Sequence, residues 1–269
     1  MILFDAHIHL TDKEYSNHLQ IILNTFRALK INACSVTVDI ESSLRSLDLF
    51  KNNFNRDVVT QFIGIHPEYA SHEDTTKFTE IFDANINVID GIGEIGLDHS
   101  YIKHNASSYE IQKKVFNNML NLAEKTKKPI SIHSRGSLDE ILEIIKTYNL
   151  SNVLLHWFAG SKKQLKKSMD MGLYASYGPV LVYSEDKKAL LKSTSLDRFL
   201  IETDGPVRYS RCFKNLPSIS SSFLVSVAKC AGDVLGINYY DIAEVIRENS
   251  ESFLMRSLLR CYAFLEWAA

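Results

Sequence analysis

Short runs of hydrophobic and β-branched residues alternate with amphipathic stretches along most of the chain. Eight runs have the length and composition of buried strands, at residues 2–6, 33–38, 59–64, 88–94, 129–133, 152–156, 173–177 and 198–203. The intervening stretches have helical periodicity, most clearly at residues 109–127 and 136–148. This alternation predicts a parallel sheet whose strands are joined by right-handed helical crossovers.

Eight strand–helix units predict that the sheet closes into a (β/α)8 TIM barrel, with residues 1–269 forming a single domain. A doubly wound open sheet is the rival fold. That fold would place a glycine-rich phosphate loop after the first strand, where this chain has residues 5–9, Asp-Ala-His-Ile-His. Beyond the last strand, helical patterns are expected at about residues 219–235 and from residue 240 onward.

Histidines and acidic residues recur at the ends of the predicted strands. These candidate ligands are His7, His9, Glu94, His133, His156 and Asp204. In a parallel barrel the carboxyl ends of all strands meet at one rim, so we expect these side chains to converge. Imidazole and carboxylate groups are common ligands of divalent transition metals. The pattern therefore predicts a metal site at this rim.

Alternation along the first strand adds a more detailed expectation. Residues two apart in a strand point to the same face, so His7 and His9 should present their imidazoles side by side. The opposite, apolar face should hold Ile2, Phe4, Ala6 and Ile8.

Composition limits the class of protein. Hydrophobic residues make up 45% of the chain, enough for a full core, and no apolar run has the length of a membrane span. The formal net charge of -2 gives no global positive field, and lysine clusters at residues 162–167 and 187–188 are typical of solvated helix faces. Four scattered cysteines without a Cys-x-x-Cys motif, and a start typical of a strand, predict a cytoplasmic protein.

The strand-end motifs, taken in order, carry a family resemblance. They are residues 5–9 (DAHIH), 64–67 (GIHP), 93–98 (GEIGLD), 132–135 (IHSR), 155–161 (LHWFAGS) and 201–204 (IETD). Each motif alone is weak, but six in register are specific. The chain resembles the TatD family of metal-dependent hydrolases, within the amidohydrolase superfamily, nearly from end to end.

The resemblance implies two divalent metal ions per chain. His7 and His9 would bind one metal, His133 and His156 the second, and Glu94 would bridge both, acting as a catalytic residue as well as a ligand. Related phosphotriesterase-like enzymes bridge their metals with a modified lysine, so Glu94 favours the TatD branch. Mixed nitrogen and oxygen ligation suits Zn, Mn, Mg, Co or Ni, and the sequence does not choose among them.

The resemblance also implies roles near the metals. Asp204 would be the last ligand and the catalytic group that activates water. His66 would contact substrate phosphate, although it could instead cap the loop before Pro67. Arg135 could clamp phosphate or form a structural ion pair. Asp5 and Glu202 could each orient a ligand histidine or form a buried pair with a basic group.

The chain departs from the family pattern around the substrate mouth. Glu68 stands where a second histidine is typical, and His99 follows Asp98 where the family has tyrosine. Residues 205–209, Gly-Pro-Val-Arg-Tyr, replace the usual run of a small residue, proline, an aromatic residue and leucine. Metal chemistry therefore transfers more safely than substrate identity. His18, His72, His99 and His104 match no ligand motif and are expected to be surface residues.

The function that these features favour is a phosphodiesterase or deoxyribonuclease, with DNA, possibly single-stranded or at 3′ ends, as substrate. One alternative is hydrolysis of another ester or amide on the same metals, as in a D-aminoacyl-tRNA deacylase or a lactonase. A non-catalytic scaffold is the other, although a scaffold should have lost some of its ligands. Nothing in the sequence indicates a membrane partner or an obligate protein partner.

Overall fold

Eight parallel strands form one sheet in the computed structural model, which describes residues 2–51, 53–71, 73–104, 107–209, 211 and 218–256. The strands pair in chain order from first to last. They are β1 (Leu3–Ile8), β2 (Ile31–Ser35), β3 (Val59–Ile63), β4 (Gly91–Asp98), β5 (Ile130–Arg135), β6 (Val153–Leu155), β7 (Tyr174–Tyr177) and β8 (Phe199–Ile201).

Helices separate the strands, as the hydrophobic periodicity predicts. They are α1 (Leu19–Leu29), α2 (Ile40–Leu49), α3 (Asn53–Arg56), α4 (Thr75–Ala84), α5 (Ser107–Thr126), α6 (Leu138–Ile145), α7 (Lys162–Asp170), α8 (Glu185–Leu191), α9 (Ser220–Leu235) and α10 (Tyr239–Leu254). The predicted (β/α)8 barrel is confirmed. The part of the last predicted helix beyond residue 256 lies outside the described residues.

The barrel is closed at its rim by hydrogen bonds between the segments that continue β1 and β8. The backbone N–H of Asp204 donates to the carbonyl of His7 at 2.8 Å, and that of His9 donates to the carbonyl of Gly205 at 2.8 Å. Deeper in the barrel, the buried carboxylate of Asp5 accepts the backbone N–H of Thr203 at 2.9 Å and its hydroxyl at 2.6 Å. These bonds connect residues that are about 200 positions apart in the sequence.

The buried hydrophobic residues form two clusters, which alternate along the strands. In β8, Phe199 and Ile201 belong to the large cluster shared with the helices, whereas Leu200 belongs to a smaller one. The smaller cluster consists of Phe4, Ala6, Cys34, Val36, Phe62, Leu154, Tyr174, Leu200, Phe253 and Leu254. Alternation of this kind is expected where one strand face meets the helices and the other the barrel interior.

Ile8 is buried in apolar packing as expected, but the expectation that it shares a strand face with Phe4 and Ala6 is wrong. Phe4 and Ala6 belong to the smaller cluster, but Ile8 belongs to the large one. The pairing explains this change: β1 advances three residues, from Asp5 to Ile8, while β2 advances two, from Ala33 to Ser35. An extra residue on one strand reverses the facing of the residues that follow.

The predicted end of the fourth strand is also wrong. Glu94 was placed at the end of a strand, but it lies inside β4, which continues to Asp98. The ladder persists because β5 pairs with β4 from Ile95 to Asp98, after a register shift between Ile92 and Ile95. Glu94 lies within the irregular stretch between Ile92 and Ile95, and its side chain lines the cavity at the carboxyl end of the barrel.

Lys187 contradicts the expectation of a solvated helix face at residues 187–188. Its ammonium group is largely buried and donates to the carbonyl of Phe158, and burial lowers the pKa of Lys187. Lys188 behaves as expected and pairs with Glu185 at the surface. Among the described helices, none combines the length and apolar character that crossing a membrane requires.

Candidate metal centre

All six predicted ligands line or adjoin one cavity at the carboxyl end of the barrel, with a volume of about 970 Å³. Three of them lie within strands: His7 in β1, Glu94 in β4 and His133 in β5. The other three, His9, His156 and Asp204, follow shortly after β1, β6 and β8. Sites at this face are the rule for TIM barrels, because the strands converge there while the loops remain free to vary.

The two carboxylate oxygens of Glu94 face two separate groups of histidines. Oε2 lies 3.3 Å from Nε2 of His7 and 3.5 Å from Nε2 of His9. Oε1 lies 2.9 Å from Nδ1 of His133 and 2.7 Å from Nε2 of His156. Glu94 thus lies between two histidine pairs, the same pairs that the family resemblance assigns to two metals.

Asp204 joins only the first of these groups. Its Oδ1 lies 3.4 Å from Nε2 of His9 and 3.7 Å from Nε2 of His7. The backbone of Asp204 is in the left-handed region, with φ of 51°, which aspartate tolerates better than most residues. A residue held in such a conformation at a cavity is typical of a functional position.

The residues present fit divalent metals. Nε2 of His7 is fully buried and makes no hydrogen bond to any described residue, although it faces two carboxylates. The ligand atoms of His7, His9 and Asp204 all lie within 4.8 Å of one another, and so do those of a second group, His66, Glu94 and His133. Neutral imidazole nitrogens beside carboxylate oxygens form the donor set of many zinc and manganese sites.

The electrostatics of the cluster are dominated by Glu94. Burial would raise the pKa of this carboxyl group, but His156, His66 and His7 hold it well below its usual range. Burial and the neighbouring His156 lower the pKa of His7 to about 4. Burial acts in the same direction on His156, but Glu94 and then Glu202 outweigh it, and the pKa of His156 is well above its ordinary value. His7 is therefore neutral and His156 protonated at neutral pH when no metal is bound.

Asp98 is a functional candidate to which the sequence reasoning gave no role. Its buried carboxylate Oδ2 lies 2.8 Å from Nε2 of His133, whose Nδ1 faces Glu94. Oδ1 of Asp98 accepts the N–H and hydroxyl groups of Ser100, at 2.7 and 2.6 Å. A signal for Asp98 was present in the sequence. An aspartate four residues after Glu94, in the same motif, can reach the histidine of the next strand if the strand continues.

Ser131 was also missed. Its Oγ lies 3.0 Å from Nδ1 of His7, so the remaining nitrogen of that ring is directed at Glu94. A second hydrogen bond of this kind fixes the orientation and tautomer of a ligand histidine. Ser131 opens no motif and carries no charge, so the sequence offered no signal for this role.

Asp5 and Glu202 are both fully buried. The carboxylate of Asp5 accepts the backbone N–H of His7 at 3.3 Å in addition to the bonds from Thr203, so it binds backbone near the ligand. Oε1 of Glu202 accepts the backbone N–H of Trp157 at 2.8 Å and lies 3.9 Å from Nδ1 of His156. Glu202 therefore lies beside the ring of His156, whereas Asp5 contacts the backbone of His7 and Thr203.

His66 lies in direct contact range of two candidate ligands, Glu94 and His133, which binding of substrate alone does not require. Its Nε2 is 3.5 Å from Oε1 of Glu94, and its ring meets that of His133 edge to face, with centroids 4.5 Å apart. Nδ1 accepts the backbone N–H of Glu68 at 3.2 Å, which also fits the loop-capping alternative. Burial lowers the pKa of His66 to about 4, so this imidazole is neutral near pH 7.

Arg135 is the last residue of β5, two positions after His133, and is exposed on the wall of the cavity. Among the described residues Arg135 has no ion pair, so the contacts found there favour the phosphate-clamp alternative over a structural ion pair. His18 and His99 are exposed, as expected for surface residues. His72 lies outside the described residues.

Comparisons with known proteins agree with this geometry. Residues 4–255 match the family model described as TatD related DNase. The chain is 30% identical to an uncharacterized metal-dependent hydrolase of Bacillus subtilis, YabD, over 93% of this chain and 98% of that protein. It is 24% identical to human deoxyribonuclease TATDN3, over 92% of this chain and 93% of that protein.

Among solved structures, a TatD homologue of Escherichia coli, YJJV, superposes with a TM-score of 0.84 at 20% identity, covering 93% of this chain and 97% of that one. This likeness shows the shared fold. Fold, family model and relatives together define the class as that of the metal-dependent hydrolases. Within that class, the chain belongs to the TatD family.

Proposed function

We propose that this protein is a two-metal phosphodiesterase that hydrolyses DNA, with Glu94 bridging the metals. The observation that carries the proposal is the division of histidines between the two oxygens of Glu94, His7 and His9 on Oε2, and His133 and His156 on Oε1. A carboxylate with two nitrogen ligands at each oxygen is the arrangement that two neighbouring cations require. Paired metals are typical of phosphoester hydrolases.

The protein side chains would then divide the work of hydrolysis. Bound divalent metals would supply Lewis acidity towards a phosphoryl oxygen and towards water. Asp204, at the open side of the His7–His9 group, would hold the nucleophilic water and accept its proton. Glu94 would fix the distance between the metals. Asp98 and Ser131 would hold His133 and His7 in the ring orientations that binding needs.

The wall of the cavity suits a substrate that is bound mainly at its scissile phosphate. Its basic side chains, Lys13, Arg45 and Arg135, are outnumbered by acidic ones, and Arg45 donates to the carbonyl of Thr11. His66 and Arg135 remain as candidate phosphate contacts. With so few, the salt dependence of DNA binding should be shallow, because its slope scales with the number of phosphates neutralised.

The deoxyribonuclease names of family members support DNA as the substrate class. The test is to assay the metal-loaded protein on single-stranded DNA, on bis(p-nitrophenyl) phosphate and on a lactone. The proposal expects turnover of both phosphodiesters and none of the lactone, with most turnover lost in Asp204→Asn. Turnover of the lactone alone would contradict phosphodiester specificity and favour the alternative hydrolase.

The scaffold alternative has its own test. It predicts no turnover of any ester by a protein that nevertheless binds metal. The complete set of candidate ligands argues against it, because a scaffold that only bound metal would not need both Glu94 as a bridge and a separate Asp204.

A further inference from the structure

Trp157 lies directly after His156 and lines the cavity next to the ligand cluster. Its side chain is half-buried. The phenol ring of Tyr209 stacks on the indole, with centroids 5.5 Å apart and an angle of 24° between the planes. A large aromatic surface is therefore present within the cavity, supported from behind by a second ring.

The backbone of Trp157 is held in place by buried groups. Its φ of 43° is in the left-handed region, which is unusual for a bulky residue. Its N–H is close to two acceptors, Oε1 of Glu202 at 2.8 Å and Oγ of Ser176 at 3.1 Å. On the next residue, the carbonyl of Phe158 accepts a hydrogen bond from the partly buried ammonium group of Lys187. An uncommon conformation that is stabilised this fully is typical of functional positions.

The supporting ring is equally constrained. Tyr209 is buried, and its hydroxyl donates to the carbonyl of Thr203 at 2.8 Å. Its other neighbour is the ring of Phe223 on α9, with centroids 5.9 Å apart. The indole of Trp157 is thus fixed before any ligand arrives, which reduces the entropy lost on binding.

A fixed aromatic face beside a phosphoester-cleaving centre matches one feature of nucleic acids, the planar base attached close to each phosphate. Stacking of a base on an aromatic side chain is tolerant of sequence and contributes substantially to single-strand binding. We propose that Trp157 is a specificity-determining residue that stacks on a nucleobase next to the scissile phosphodiester. This inference rests on the proposed function and names what the substrate must carry, an unpaired base.

The chain offers a direct optical test, because its two tryptophans are Trp157 and Trp267. In a Trp267→Phe, Asp204→Asn protein loaded with Zn²⁺, which does not quench indole fluorescence by paramagnetism, Trp157 is the remaining tryptophan and DNA cleavage is slowed about 10²- to 10⁴-fold. Oligo(dT) should quench its fluorescence. An oligonucleotide of equal length whose units are all abasic should cause little quenching and bind about 5- to 150-fold more weakly, the contribution of one stacked base.

The second measurement is catalytic efficiency, in proteins that retain Asp204. Trp157→Leu should lower kcat/KM on oligo(dT) by a similar factor of about 5 to 150 and leave kcat/KM on the abasic oligonucleotide within about twofold. Trp157→Phe keeps an aromatic face and should retain most of the discrimination. A purely structural role would instead lower activity on both substrates together and reduce metal content.

The outcomes separate this inference from the proposed function. The stacking role would be overturned if both oligonucleotides quenched the fluorescence equally and bound with equal affinity. If the protein that retains Asp204 still cleaved DNA in that case, the phosphodiesterase proposal would be unaffected. Absence of both binding and cleavage of DNA would overturn both. If Trp157→Leu does not fold, the fluorescence experiment still decides the question, because it compares the two oligonucleotides in a protein that keeps Trp157.

Discussion

The imidazole of His133 is held by the carboxylate of Asp98, with 2.8 Å between Nε2 and Oδ2. The contact leaves Nδ1 of His133 facing Glu94. Burial alone would lower the pKa of His133, but the hydrogen bonds to Asp98 and Glu94 outweigh it and raise that pKa. Burial would raise the pKa of Asp98, but the hydrogen bonds with His133 and Ser100 lower it to about 2. Asp98 is therefore ionised throughout the physiological range and can orient the ring.

The first prediction concerns this orienting contact. Asp98→Ala should weaken metal binding by about 10- to 100-fold, the usual effect of removing a carboxylate behind a ligand histidine. Asp98→Asn, whose amide oxygen can still accept from Nε2, should weaken it less. Competition with a chelator measures the affinity. Asp170→Ala, an exposed acid paired with Lys166, is the matched control and should change nothing.

Asp98→Ala also leaves two donors of Ser100 without their acceptor, so it should lower the melting temperature of the metal-free protein. That effect is separable from the orienting role. If the metal affinity of the folded variant equals that of the wild type, Asp98 has only a structural role.

Asp204→Asn should abolish most turnover while the fold and bound metal are retained. The amide can remain close to His9 but cannot accept a proton, and loss of a general base typically lowers kcat by about 10²- to 10⁴-fold. Steady-state kinetics on a phosphodiester, with circular dichroism and metal analysis, measure this. Turnover near the wild-type rate would show that another group activates the water.

Glu94→Gln should release metal from both sites. The substitution removes the negative charge that faces all four ligand histidines, whereas His7→Ala removes one nitrogen from one group. Metal counting on dialysed protein should therefore give a larger loss for Glu94→Gln than for His7→Ala. Full occupancy in Glu94→Gln would mean that this carboxylate does not bridge.

His66 and Arg135 should govern the substrate and not the metals. His66→Ala and Arg135→Ala should both lower kcat/KM on phosphodiesters while metal stoichiometry stays at the wild-type value. His66 provides the sharper test, because its Nε2 is as far from Glu94 as that of His9, at 3.5 Å. If excess metal restores the activity of His66→Ala, His66 is a ligand and its assignment to substrate is wrong.

Metal binding at pH 7 should release protons. A histidine with an ordinary pKa near 6.5 is mostly neutral at that pH. His156 is protonated in the metal-free protein, because Glu94 and Glu202 raise its pKa. A metal ligand must be the neutral imidazole, so the metal-free form carries a proton that the bound form lacks.

Metal affinity should therefore rise with pH until the raised pKa of His156 is passed, and fall as the pH is lowered. Calorimetry in two buffers of different ionisation enthalpy measures the protons released. A binding enthalpy that is the same in both buffers at pH 7 would contradict the prediction.

The sequence by itself determined the eight-stranded barrel, because short hydrophobic, β-branched runs that alternate with stretches of helical period are visible without tertiary information. It also determined the candidate ligands, since histidine and acidic residues at successive strand ends must meet at one rim. The strand bounds followed less well. Bulges in β1 and β4 depend on the pairing partner. This is why the prediction that Ile8 shares a face with Phe4 and Ala6, and the position of Glu94 within its strand, were wrong.

Only the tertiary structure decided which side chains support the ligands. The contacts of Asp98 with His133 and of Ser131 with His7 join residues 35 and 124 positions apart. Glu202 accepts the backbone N–H of Trp157, directly after His156, across 45 positions. Such contacts depend on how the residues of neighbouring strands align. No local sequence pattern marks a hydroxyl or a carboxylate group as the hydrogen-bond partner of a particular histidine. The ligands are set by their position along each strand, whereas their supports are set by how neighbouring strands align when the barrel closes.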